Sequence, residues 1–155
     1  MPGRYSNGRM RALGVDLGRR RIGLAISDAE GNFAFPLAAL TSGGRGRDVK
    51  ALAAVVAARA VERVVVGLPL HMDGRAGPEA EDARAFARAL AKATGLPVDT
   101  LDERWTSIEA ERALAASGTR RERRDSRKNG ELDSMAATII LRTWLERTGG
   151  AGCTG

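Results

Sequence analysis

Cysteine is all but missing from this chain: Cys153 stands alone among 155 residues. A single thiol excludes an intramolecular disulfide framework and a cysteine-rich zinc site. Its place in the terminal GGAGCTG predicts a free, exposed thiol in a reducing compartment. Aromatic residues are scarce too (three Phe, two Trp, one Tyr), so Ala, Val and Leu must fill the interior. Histidine occurs once, as His71. No apolar run approaches the length of a membrane span, and the opening MPGRYSNGRM is basic without the apolar stretch of a secretory signal. The expected location is the cytoplasm, with no membrane partner.

Positive charge is what the chain has in excess. Lys and Arg number 25 against 19 Asp and Glu, a net charge of +6 carried mostly by arginine. A GC-rich genome also enriches arginine; even so, nucleic acid is the leading acidic partner for a small basic protein, ahead of anionic membrane surfaces. The length and a 43% hydrophobic content suit one domain with a real core. The expected division is a basic flexible tail over 1–10, a single domain over 11–147 and a Gly-rich flexible tail over 148–155.

The organising stretch is Arg11–Asp28, RALGVDLGRRRIGLAISD. The run Ala12–Leu13–Gly14–Val15 ends in the carboxylate of Asp16; Gly18 and three arginines make a bend, and Ile22–Gly23–Leu24–Ala25–Ile26 follows. Two short apolar runs joined by turn residues predict a β-hairpin, and their unbroken apolar character places it in mid-sheet. Phe33–Leu40 predicts a third strand, which Pro36 pushes to a sheet edge because proline donates no ladder hydrogen bond. Alanine-rich Asp48–Ala60 predicts a helix, and β-branched Arg63–Leu68 a buried strand. PLHMDGRAGPEAE is a loop. A helix follows from Ala80, with Ala83, Phe86, Ala87 and Leu90 on one face, closing at Gly95. Leu96–Leu101 is a further strand, and Thr106 with Glu109 is a capping-box pattern opening a helix to about Ala116. Arg120–Asn129 is a polar, mostly basic connector. Leu132–Trp144 is an amphipathic helix burying Leu132, Ala136, Ile139 or Ile140, and Thr143. The order β-β-β-α-β-α-β-α-α means an α/β fold, a mixed sheet covered by helices.

Acidic residues stand at the ends of three elements. Asp16 closes the first strand, Asp102 and Glu103 follow the last one in LDERWTS, and Asp133 opens the final helix in GELDSMAA. Each has a plain alternative: an Asx-turn for Asp16, a solvated strand end for Asp102 and Glu103, a helix-dipole partner for Asp133. They converge if the first and last strands run the same way and the C-terminal helix crosses their rim. Clustered carboxylates repel one another, so such a site makes sense chiefly when cations neutralise it. Hard oxygen ligands favour Mg²⁺ or Mn²⁺. Two such ions, roughly 3.5–4 Å apart, activate water and stabilise the leaving oxygen in phosphodiester hydrolysis.

Four stretches (VDLGRRRIGLAISD, VVVGLPLHMDG, LDERWTS and ELDSMAATIILRTWL) together resemble, in this order and spacing, the YqgF family of RuvX-like Holliday junction resolvases. The resemblance runs from about Arg11 to Leu145. It implies a ribonuclease H-like fold, a mixed five-stranded sheet with antiparallel opening strands, then alternating helices and strands, flanked by helices. It implies a nuclease that processes the 5′ end of the small-subunit (pre-16S) ribosomal RNA precursor or, by analogy, one that resolves branched DNA. Carried over residue by residue, Asp16, Glu103 and Asp133 resemble the catalytic, metal-binding carboxylates, with Mg²⁺ or Mn²⁺, two ions, as cofactor. Glu103 ranks above its neighbour Asp102, although strand parity does not choose between them without coordinates. The glycine-rich loop departs from the family at His71, where Asn is usual. General acid/base work is the sharper reading of that residue, and a tolerated loop side chain the plainer one.

VDLGRRRIG alone also resembles the phosphate loop of actin-like and sugar kinases, but those enclose nucleotide between two such domains and this chain has length for one. A fold-retaining module that binds nucleic acid without cutting it is a third class, against which the intact carboxylates argue. Arg120, Arg121, Arg123, Arg124, Arg127 and Lys128 lie just before Asp133. Such runs are usually solvated; tethered here, this one can follow a phosphate backbone. Arg19 and Arg20 at the bend and Arg104 beside Glu103 complete the candidate nucleic-acid contacts. Trp105 reads as core ahead of a base-stacking platform. The expected partner is structured RNA, or branched DNA, met by a monomer or a homodimer; a symmetric junction calls for the dimer.

Overall fold

A computed structural model of the chain describes residues 10–108, 110, 111, 114 and 131–152. The hairpin forms as expected: β1 (Ala12–Leu17) and β2 (Arg21–Ser27) pair antiparallel from Leu13–Ile26 to Leu17–Ile22. The Gly18 N–H closes the bend on the Arg21 carbonyl (3.0 Å). β3 (Ala34–Thr41), which contains Pro36, pairs antiparallel with β2 and is an edge strand. β4 (Arg63–Leu68) lies parallel to β1, and β5 (Val98–Asp102) parallel to β4, so the sheet order is β3-β2-β1-β4-β5. Helices α1 (Arg45–Ala58) and α2 (Pro78–Thr94) make the connections to β4 and β5, and α3 (Glu131–Gly152) closes the chain. This is the ribonuclease H-like arrangement.

Alternation along the strands divides the core into two layers. Leu13, Val15, Ile22, Leu24, Val64, Val66 and Leu68 face α1 and α2, where they meet Leu52, Val56, Phe86 and Leu90. The other face carries smaller groups, Ala12, Ala25 and Val65, under Ala137, Ile140 and Leu141 of α3. Gly14 belongs to this second face: a Cβ there would stand 2.8 Å from both the Ala137 carbonyl oxygen and the Leu141 Cβ. The missing side chain lets α3 sit directly on β1.

Element ends differ from the sequence expectation for identifiable reasons. α1 starts at Arg45 rather than Asp48, because the Asp48 carboxylate, buried in the first turn, accepts from the Ser42 hydroxyl (2.7 Å) and the Gly43 N–H (2.8 Å) and ties the preceding loop to the helix. α2 starts at Pro78, a first-turn position where proline forfeits no hydrogen bond. It stops at Gly95, whose φ of 73° places it in the left-handed region with its N–H on the Ala91 carbonyl. α3 buries more than a stripe, since Ala136, Ala137, both Ile139 and Ile140, Leu141, Trp144 and Leu145 are all covered. The helix is packed on the sheet and also flanked by Ile108, so no single face suffices. Thr143 is half-buried, and the Leu132 side chain lies outside the described residues.

Trp105 departs from its expected place in the core. It is 55% exposed, and Trp144 is the buried indole, donating its N–H to the Asp99 carboxylate (3.1 Å). The helix start after Thr106 is present: its hydroxyl accepts from the Ile108 N–H (3.3 Å), and residues 108, 110, 111 and 114 are helical. Met10 is buried, and α3 continues through Thr148 to Gly152. Glu109, the connector Arg120–Asn129 and Cys153 lie outside the described residues. Among the described residues, no helix is long and apolar enough to cross a membrane.

Candidate active site at the strand rim

Strand parity decides which carboxylates share a face. Leu13 and Val15 of β1 face α1 and α2, so Ala12, Gly14 and Asp16 face α3. On β5, Asp99 and Leu101 point to α3, which puts Asp102 on the opposite side and Glu103, one step on, back toward α3. The strands also finish together. The last β1–β4 pair is Val15–Val66, so the next residues are Asp16 and Gly67; the last β4–β5 pair is Leu68–Asp102. Asp16 is half-buried, in register with Gly23 of β2. Glu103 opens a 3-10 turn, Glu103–Trp105, and folds its side chain back across β4. Its Oε2 stands 2.9 Å from the point a Cβ on Gly67 would occupy, and Ile140 Cδ1 is closer still to that point.

Asp102 is committed elsewhere. Its carboxylate accepts from the Arg104 backbone N–H (2.9 Å), from Nε (3.1 and 3.0 Å to its two oxygens) and from Nη2 (2.6 Å). The Arg104 guanidinium beside it is the leading reason that the Asp102 carboxyl titrates below the ordinary aspartate range. Arg104 also donates through Nη1 to the Met72 carbonyl (3.2 Å), so this pair fastens the turn after β5 to the glycine-rich loop after β4. Arg104 thus holds Asp102 rather than Glu103, and remains an exposed residue.

His71 lies in that loop with its N–H on the Arg75 carbonyl (2.9 Å) and its carbonyl taken by the Gly74 N–H (2.8 Å). Its imidazole rests on Gly77, the residue preceding α2; a Cβ on Gly77 would come within 2.7 Å of Nε2. The geometry gives His71 a buttressing contact at the start of α2. Arg19 and Arg20 are exposed on the turn that follows the Asp16 strand end. The six connector cations from Arg120 to Lys128 are outside the described residues.

Asp133 lies in the first turn of α3, one turn before Ala137, on the helix that covers the Asp16 face. Its carboxylate is outside the described residues. The backbone there is fixed by a residue that sequence reading passed over. Ser134 is fully buried; its hydroxyl accepts from the Leu24 N–H (3.3 Å) and donates to the Leu37 carbonyl (2.6 Å). The β2–β3 register slips between Ile22 and Leu24, and the hydroxyl bridges the pair beside this bulge. A bulge leaves ladder groups unpaired, and an unmet buried donor costs about 1–3 kcal/mol. The signal available in sequence was a serine at the head of the mostly apolar SMAATII.

Among the described residues, no three His, Cys, Asp or Glu side chains gather into a metal-binding group. The donor set nevertheless suits a hard divalent cation: carboxylate oxygens from the ends of β1 and β5, the strands on either side of β4, with Gly67 of β4 leaving the room that Glu103 uses. Gly67→Ala tests that room. Ile140 Cδ1 is the end of a flexible chain and can yield, whereas the Glu103 carboxylate must be displaced. Activity is expected to fall tenfold or more while Tm drops by only a few degrees, read by an activity assay beside a thermal melt. Parent-like activity would show that the Glu103 position over Gly67 has no bearing on it.

The fold is ribonuclease H-like. Thermus thermophilus RuvC, solved in complex with a Holliday junction substrate, aligns with a TM-score of 0.54 over 87% of this chain and 94% of its own, at 15% identity. The fowlpox virus Holliday junction resolvase aligns at 0.53 over 90% and 99%, at 14% identity. Such identities establish a shared fold. Sequence establishes the family: residues 10–147 match the RuvX family, described as Holliday junction resolvase, and the chain belongs to it. A relative from Anaeromyxobacter dehalogenans (strain 2CP-C) is 48% identical over 89% of this chain and 98% of its own. One from Picosynechococcus sp. (strain ATCC 27264 / PCC 7002 / PR-6) is 43% identical over 87% and 91%. Both bear the name "Putative pre-16S rRNA nuclease". The chain is accordingly a nuclease, a phosphodiester hydrolase.

Proposed function

We propose that this nuclease trims the 5′ end of the pre-16S ribosomal RNA precursor in the cytoplasm, using Mg²⁺ or Mn²⁺ held by Asp16, Glu103 and Asp133. The observation that carries the reading is the Glu103 carboxylate folded back over Gly67, on the same sheet face as Asp16. When bound, a pair of such ions supplies activation of the attacking water and charge stabilisation at the leaving oxygen. The protein's own part is to hold carboxylate oxygens rigidly on strand ends and to bring phosphate to them. Arg19, Arg20, Arg104 and the connector residues Arg120, Arg121, Arg123, Arg124, Arg127 and Lys128 are the proposed phosphate contacts, a sequence-independent and salt-sensitive source of affinity.

RNA is favoured over branched DNA because the relatives named for pre-16S RNA are 43% and 48% identical along most of this chain. The structures solved as Holliday junction resolvases are 14% and 15% identical. The DNA reading keeps the support of the family description and would call for a homodimer. Purified protein with Mg²⁺ or Mn²⁺ is to be offered precursor RNA and a four-way DNA junction side by side. Cleavage near the mature 5′ end of the RNA, abolished by EDTA and with the junction left intact, is the expected result. Preferential cutting of the junction transfers the assignment to DNA. Binding of both without cutting, in metal-replete buffer, leaves a binding module and overturns the proposal.

A further inference from the structure

We infer that Trp105, braced by Arg147, is a stacking platform for an unpaired base next to the scissile phosphate, so that this nuclease takes substrates that are single-stranded at the site. The inference rests on the reading of Glu103 as part of that site. Trp105 ends the 3-10 turn that Glu103 begins. With three residues per turn, successive side chains of such a turn diverge by about a third of a revolution, so the indole points away from the carboxylate rather than competing with it. Arg147 of α3 lies over the ring, its guanidinium carbon 3.7 Å from the ring centroid. Despite that contact Trp105 keeps 55% of its surface exposed, enough to offer aromatic surface to a ligand.

The distance along the helix is suited to a neighbouring nucleotide. Arg147 is seven residues beyond Ile140, the side chain that meets Glu103 over Gly67. At 1.5 Å per residue that is about 10 Å of helix. The guanidinium fixes the plane of the ring by a cation–π contact and adds positive charge where a backbone phosphate would pass. An aromatic face offered beside a cation suits an unstacked base, whichever base it is. Bases within a continuous duplex are already stacked on one another and have no face to give.

Tryptophan fluorescence of the full chain, titrated in EDTA with a short single-stranded RNA and separately with its duplex, tests this. Trp144 is buried, so a change on binding reports Trp105. The single strand is expected to quench the emission and the duplex to leave it unchanged. Trp105→Phe should retain binding but lose the quench. Trp105→Ala should weaken single-strand binding about 5- to 150-fold and raise KM more than it lowers kcat. Single-strand binding without a quench, equal quenching by duplex, or a Trp105→Ala protein that binds as the parent does would each overturn the platform. If Trp105→Ala melts early, the Trp105→Phe protein still decides, since a brace without a bound base predicts no quench in the parent either. Failure of the underlying site reading is seen separately, as continued cleavage after Asp16→Asn.

Discussion

Asp16→Asn is expected to reduce cleavage by two orders of magnitude or more while leaving nucleic-acid affinity unchanged or slightly improved. Asparagine keeps the size of the side chain but removes its charge and most of its affinity for a divalent ion. The chemical step therefore suffers, as when one ligand of a two-ion clamp is removed. Binding gains a little because one negative charge facing phosphate disappears. Asp133→Asn should behave alike. The double variant should be little worse than either single one, because groups that act as a unit lose most of their effect with the first removal. The competing account of Asp16 makes the opposite forecast: asparagine forms an Asx-turn as readily as aspartate, so activity and stability would scarcely move. Cleavage within a few-fold of the parent, at matched binding and in metal-replete buffer, would leave the turn as the role of Asp16.

Gly14→Ala is expected to cost about 2–3 kcal/mol of stability, within the usual range for overpacking, and to lower Tm by roughly 5–10 °C for a chain of this size. The added methyl would stand 2.8 Å from a helix carbonyl and 2.8 Å from the Leu141 Cβ. Neither is the tip of a flexible side chain, so the strand or the whole helix must shift. α3 carries Asp133 and Ser134 at its start, so the protein that remains folded should also cleave more slowly. This contrasts with Gly67→Ala, where the crowding falls on side-chain ends and activity should suffer more than stability. A Gly14→Ala melt indistinguishable from the parent would mean that α3 packs farther from β1 than 2.8 Å allows.

The sequence by itself determined the elements whose signals are local. Unbroken apolar runs around Gly18 specify the hairpin, the missing N–H of Pro36 sends β3 to the edge, and Val64–Val66 specify a strand buried on both faces. It also placed acidic residues at three element ends and, through four motifs together, gave the family. Tertiary structure alone decided which of Asp102 and Glu103 shares the sheet face of Asp16. Both are carboxylates at the end of the same strand, and their separation depends on which sheet face α3 covers and on a turn that folds one side chain over Gly67. It decided between the two tryptophans as well: Trp144 finds Asp99 across 45 residues, while Trp105 stays 55% exposed with Arg147 of α3 over its ring. Ser134 acquires its role from a bulge formed by two other strands. Propensity and periodicity are properties of neighbouring residues, whereas each of these choices is made by groups that become neighbours only when the sheet has formed and α3 has crossed it.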